Sequence, residues 1–207
     1  MFDYYKKMEE KTRLGLFLFA IRITGRYNKF MYLISLYFDE KTNKKIQLLI
    51  DNIARGSDNT YMIDKQVPPH LTMMAFESKL PQDELIGIVE KVVSRQPEGQ
   101  LHWVSAGVFL SQVIYLAPVL NEYLQRLMEK VYDALSVQPD TKIQSCYRPY
   151  GWFPHTTVAK KLSQEQMQAA FAVLQKEFAP FEGHVVKIGL SETTPKREII
   201  SWNTIER

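Results

Sequence analysis

The sequence predicts an α+β fold: a duplicated, two-lobed arrangement in which antiparallel sheets, related by a pseudo-two-fold, face a central cleft with helices outside. Three observations lead there. A strand–helix–strand–helix–strand order is legible twice along the chain. Each copy carries a Pro, then His-x-Thr, then an apolar residue: Pro69-His70-Leu71-Thr72-Met73 and Pro154-His155-Thr156-Thr157-Val158. The chain has 207 residues, 45% of them hydrophobic, which suffices for one well-buried core or two small lobes sharing one.

The elements follow in order from Met31. Met31 to Phe38 is rich in strand formers. Ile46, Leu49, Ile50 and Ile53 recur at helical spacing within about residues 40–55, with Gly56 as a stop signal. A polar connection leads to Pro68-Pro69, which keeps the approach to His70 extended, and His70 to Phe76 reads as a strand. Pro81 suits the first turn of a helix whose apolar residues Leu85, Ile88, Val89 and Val92 share a face. Pro97-Glu98-Gly99 turns the chain into a strand near Leu101–Phe109.

The second half repeats this order. Val113 to Leu116 is a strand, and Leu120 to Leu135 is a helix with a broad apolar stripe, which is more often core than a ligand box. Pro139 to Phe153 reads as a long loop before the second His-x-Thr strand. Ser163 with Gln166 forms a capping box for a helix running to about Ala179. Strands near His184–Leu190 and Glu198–Thr204 close the chain. The domain expected is a single two-lobed unit over residues 31–207, its halves roughly 31–110 and 111–207.

Residues 1–30 differ from the rest. They hold seven Lys/Arg and three Asp/Glu, leaving 19 and 20 for the remainder, which is nearly neutral. Leu14 to Ile21 is an apolar run without the cleavage site of a signal peptide. The segment reads as an appendage without a catalytic role: a packed strand or helix, a surface anchor, or translation from a start ahead of Met31. No apolar run reaches the roughly 18 residues of a membrane span. The single Cys146 excludes an internal disulfide and fits a reducing cytosol, so a cytoplasmic location is expected. The neutral body argues against a broad footprint on long nucleic acid and favours a small nucleotide or an RNA end, bound by a monomer.

Within a strand, the period of two would put His and Thr of each motif on one face, about 6.6 Å apart along the backbone. That span suits two side chains gripping one phosphate. Either histidine alone would more often be a satisfied core residue; the pair in matched settings reads as a site. His102 and His184 each follow a Glu-Gly turn and read as structural or exposed, because no His-x-His or His-Glu-x-x-His pair suggests a metal centre. No cofactor is expected.

On these two motifs, and on Val113 to Pro118 leading into the middle helix, the chain resembles the two-histidine phosphoesterase superfamily. The branch of nearest aspect is the bacterial 2′-5′ RNA ligase and cyclic phosphodiesterase group. The resemblance covers roughly Met31 to Arg207. It implies a metal-free hydrolase of 2′,3′-cyclic or 2′-5′ phosphodiesters, acting on RNA ends or small cyclic nucleotides, with 2′-5′ ligation as the reverse reaction. Members near this branch often carry Arg after the second motif where this chain has Lys160; strict strand alternation points Lys160 away from the His155 face.

The chemistry suits those residues. Cleavage needs a base for water and an acid for the departing sugar oxygen, and histidine, with a pKa of about 6.5, serves as either. His70 and His155 are the candidate acid and base, in an order the sequence leaves open. Thr72 and Thr157 would donate to the non-bridging oxygens. Tyr147, Arg148, Tyr150 and Trp152 are candidate substrate contacts through stacking and phosphate pairing, the alternative being a loop whose aromatics cap the core. Tyr61, in the matching loop of the first half, is a weaker candidate. The competing function is a catalytically inactive module binding nucleotides or RNA ends; a metal-dependent hydrolase is a third reading, removed by activity that survives a strong chelator.

Overall fold

The computed structural model describes residues 31–109, 112–194 and 196–206, so the apolar run at Leu14–Ile21 and the rest of residues 1–30 lie outside the described residues. In chain order the elements are β1 (Met31–Phe38), α1 (Glu40–Ser57), α2 (Tyr61–Asp64), β2 (Leu71–Ser78), α3 (Gln82–Val93), β3 (Gly99–Phe109), β4 (Val113–Pro118), α4 (Glu122–Ser136), β5 (Thr141–Ile143), β6 (Thr156–Lys160), α5 (Gln164–Glu177), β7 (Phe181–Thr193) and β8 (Lys196–Asn203). A 3-10 turn at Ser145–Tyr147 lies between β5 and β6.

The helices start where local chemistry provides for their free N–H groups. Asp39 caps α1 by accepting from Thr42 N at 2.9 Å, and the same carboxylate accepts from His184 N at 2.8 Å, which fastens the helix to β7. Ile46, Ile50 and Ile53 form its buried face, each contributing about 1.5–3 kcal/mol by burial; Ile50→Ala would cost about 2–5 kcal/mol. The helix ends one residue beyond Gly56, at Ser57, with Asp58 in the left-handed conformation (φ 52°). Gly56 therefore serves close packing rather than termination: a Cβ there would collide with Val173 of α5. The Ser163–Gln166 capping box opens α5 as its sequence predicts.

All strand pairings in the sheet are antiparallel, in the order β5-β2-β1-β7-β3-β4-β6, with β8 also paired to β7. The long β7 joins what the sequence suggests as separate sheets. Along one edge it pairs with β1; along the other, its first residues pair with β3 and its later ones with β8. β3 thus carries the first half of the chain to β4 of the second, while β7 returns to β1. Trp103, fully buried, seals this junction: its ring lies 5.0 Å from both Phe38 and Phe181, and its Nε1 donates to Thr156 Oγ1 at 3.3 Å. That hydroxyl partner removes the cost of a buried N–H.

Four strands separate β2 from β6 in the sheet order, so a flat sheet would hold them about 24 Å apart. Yet Trp152, just before β6, reaches the Thr72 carbonyl of β2 at 3.2 Å. The sheet is therefore strongly curled, and the two His-x-Thr strands meet.

Candidate active site

Each histidine stands at the mouth of a strand, one residue ahead of β2 or β6, behind a buried proline. Without an N–H and with φ fixed, that proline keeps the approach extended. In both copies the ring then turns back onto the carbonyl two residues upstream. His70 Nδ1 lies 2.8 Å from Pro68 O, and His155 Nδ1 lies 2.9 Å from Phe153 O. A carbonyl can only accept, so each Nδ1 carries the proton and each Nε2 is left for chemistry. The tautomer that the sequence leaves undetermined is thus set identically in the two motifs.

Burial alternates in the same way through both. The histidines and Thr72 and Thr157 are half-buried, whereas Leu71 and Thr156 between them face the core. Each strand then carries a β-bulge one residue after the threonine. Opposite β1, Ile34 pairs with Met74 and Ser35 with Thr72, leaving Met73 as the extra residue. Opposite β4, Ile114 pairs with Ala159 and Tyr115 with Thr157, leaving Val158.

The second bulge corrects the expectation for Lys160. An extra residue inverts the alternation beyond it. Lys160 pairs with Val113, two residues from Tyr115, and so returns to the face of Thr157. Its charge bears on His70. The corresponding position after the first bulge is Ala75, opposite Leu33, so the first motif supplies no cation there.

The surroundings of the two imidazoles differ. Around His155 lie the rings of Phe109 at 4.8 Å, Tyr115 at 5.7 Å and Phe153 at 6.3 Å. Tyr115 fits because its cross-strand partner is Gly107, where a Cβ would run into the phenol ring. His70 has Tyr37 at 6.3 Å, which likewise lies over a glycine: a Cβ at Gly189 would meet Tyr37 Cε2 at 2.8 Å. Burial pushes both imidazoles below their ordinary pKa, against the opposing pull of the carbonyl hydrogen bonds. For His70 the charges of Lys196, His155 and Lys160 lower it further. The charge of His155 thus reaches His70.

The loop residues proposed from sequence separate into packed and exposed. Trp152 is 8% exposed and belongs to the core cluster, its Nε1 spent on the Thr72 carbonyl. Tyr147 packs against that cluster, and burial pushes its phenol up. Arg148 is exposed, and Tyr150 is 98% exposed with φ 63°. Tyr61 is half-buried under the Lys161 ammonium, 4.9 Å from the ring centroid. The aromatic surface beside a motif histidine comes instead from Phe109, Tyr115 and Phe153. The available signal for Tyr115 was its place between Ile114 and Leu116, both buried, which sends it to the opposite face. His102 and His184 are exposed, and no group of three His, Cys, Asp or Glu side chains among the described residues is arranged to hold a metal. No helix among the described residues is long and apolar enough to cross a membrane.

The curled antiparallel sheet thus brings together two His-x-Thr strands whose histidines are anchored alike through Nδ1. The family model of the 2′-5′ RNA ligase superfamily matches residues 44–197, and the chain belongs to that family. A Bacillus licheniformis protein whose name assigns it provisionally to the phosphoesterases is 28% identical over 149 residues, 68% of this chain and 79% of its own. Two solved structures share the fold. The Thermus thermophilus protein TT0787 has a TM-score of 0.51 at 14% identity, covering 84% of this chain and 97% of its own. Escherichia coli LigT in complex with ATP has a TM-score of 0.50 at 14% identity, covering 86% and 99%.

Proposed function

We propose that this chain is a metal-independent phosphodiesterase that opens 2′,3′-cyclic or 2′-5′ phosphodiesters of RNA ends or small nucleotides. The observation that carries this reading is the matched anchoring of His70 and His155, which leaves both Nε2 atoms free. Family membership supports the reaction class, and the ATP complex of LigT supports a nucleotide-sized ligand.

In the proposed reaction, neutral His70 Nε2 takes a proton from water as its oxygen bonds to phosphorus. His155 Nε2–H gives a proton to the 2′ or 3′ oxygen as the P–O bond breaks. Each positioned transfer contributes about 10²–10⁴-fold. We assign the order from burial and charge: both imidazoles are lowered by burial, but only His70 also has Lys196 and Lys160 disfavouring its proton, so His155 is taken as the acid. Thr72 and Thr157 donate to the non-bridging oxygens, with Lys160 beside them on the Thr157 face. With a 5′ hydroxyl in place of water, the same transfers would give 2′-5′ ligation: His70 takes the hydroxyl proton as its oxygen bonds to phosphorus, and His155 protonates the 3′ oxygen as the ring P–O bond breaks.

The matched prolines, carbonyl anchors and bulges favour a duplicated unit with two lobes about a pseudo-two-fold within residues 31–207. Incubation with a 2′,3′-cyclic nucleotide in a strong chelator tests the function. A single ring-opened monophosphate is expected. Saturable binding without product would point to a module that only holds nucleotides.

A further inference from the structure

Beside His70 lies a cavity of about 500 Å³ whose lining includes none of the groups that transfer protons or bind the attacked phosphate in the reaction above. Its walls include Tyr37 of β1, Lys65 and Pro69 on the approach to the first motif, Lys187 of β7, and Lys196 and Glu198 of β8. It adjoins the reaction centre through Tyr37, whose ring is 6.3 Å from that of His70.

The charges have a definite sense. Three ammonium groups face one carboxylate, an excess of two positive charges. A phosphate monoester carries about −1.5 to −2 at pH 7, so the excess matches one such group. Lys187 is already oriented: its Nζ is 3.5 Å from Glu198 Oε2 and 4.6 Å from the centroid of Tyr37. Lys196 is partly desolvated, which lowers its pKa and makes a nearby anion worth more to it. The wall beside His155 has a different character, being built from Phe109, Tyr115 and Phe153. The surroundings of the two histidines therefore differ, aromatic beside His155 and cationic beyond Tyr37 from His70.

We propose that the cavity is a subsite for a second phosphate monoester, so that the substrates taken best are nucleotides bearing a phosphate besides the one attacked. A 5′-phosphorylated nucleoside 2′,3′-cyclic phosphate is the simplest member of that class. The inference rests on the histidine pair being the reaction centre, but its test does not require turnover.

Adenosine 3′,5′-bisphosphate and adenosine 3′-monophosphate are titrated calorimetrically into the full chain at fixed ionic strength. The bisphosphate should bind about tenfold more tightly. Lys65→Gln combined with Lys187→Gln should bring the two affinities within about twofold of each other, while Lys130→Gln on the exposed side of α4 keeps their ratio. Binding of the monophosphate by the double variant reports that it is folded. Equal affinities in the wild type, no measurable bisphosphate binding, or a ratio that survives the double substitution would overturn the proposal. Cyclic adenosine phosphates with and without a 5′-phosphate are then assayed. If neither is opened while the binding ratio holds, the hydrolase reading fails and the subsite stands.

Discussion

Trp152 donates its indole N–H to the main-chain carbonyl of Thr72 at 3.2 Å, so the loop delivering the second histidine is fastened to the strand that carries the first. The bond joins residues far apart in sequence. Trp152→Phe keeps most of the buried ring but leaves that carbonyl without its donor. An unsatisfied buried acceptor costs about 1–3 kcal/mol, and a small shift of reacting groups lowers rate by up to about 10²-fold. The variant should unfold at lower denaturant and lose kcat more than it gains KM. Unchanged kcat would detach this contact from the geometry of the site.

Lys160 reaches the site only because of the bulge at Val158. Lys160→Gln removes a cation from the face on which the phosphate oxygens would sit, and should lower kcat/KM by about 10²–10³-fold. It also removes one of the charges holding His70 below its ordinary pKa, so the ascending limb of the pH profile should move to higher pH. Lys160→Arg should retain most of the rate and the original limb. A limb that stays in place in Lys160→Gln would contradict the assignment of His70 as base.

Phe153, 46% exposed, lies nearly parallel to His155 and pairs edge-on with Phe109 and Tyr115. Aromatic stacking on a base contributes about 1–3 kcal/mol. Phe153→Ala should therefore raise KM for a cyclic nucleotide about 5- to 150-fold. A small diester lacking a base should be hydrolysed as before, and stability should change little. Equal losses on both substrates would mean that the ring positions His155 instead of holding the base.

Both motif histidines have folded-state pKa values below the unfolded value of about 6.5. Below that pH the unfolded chain binds protons that the folded site resists, so stability present at neutrality is lost as pH falls from about 6.5 toward the folded values. Asp39 acts in a separate window. Burial alone would raise its pKa, but hydrogen bonds from Thr42 and His184 outweigh that and lower it, so its contribution is lost only in the acid range below about 4. Denaturant midpoints at pH 7.5 and 5.5 should drop for the wild type and stay nearly level for the variant carrying His70→Gln and His155→Gln.

The reach of the sequence can be judged residue by residue. The two Pro-His-x-Thr motifs and the Ser163–Gln166 box were legible because each is local chemistry, fixed within a few residues. The inward turn of Lys160 was not, because a bulge depends on the register of β6 against β4. Gly56 looked like a stop but answers to Val173, a partner on another helix. β5 lies within the stretch whose sequence reads as a loop, because its three residues acquire strand character only by pairing with Phe76, Glu77 and Ser78. The joining of the half-sheets along β7 likewise lies in pairings between residues distant in the chain.

The central claim is that His70 and His155 act as base and acid through their two Nε2 atoms, with one proton between them. Its most direct test is the pH dependence of kcat/KM on a 2′,3′-cyclic nucleotide in chelator, for the wild type, His70→Ala and His155→Ala. The account predicts a bell-shaped wild-type profile and a loss of about 10²–10⁴-fold in each variant, with the fold retained. His70→Ala should lose the ascending limb and His155→Ala the descending one. Wild-type-like turnover in either folded variant would contradict it.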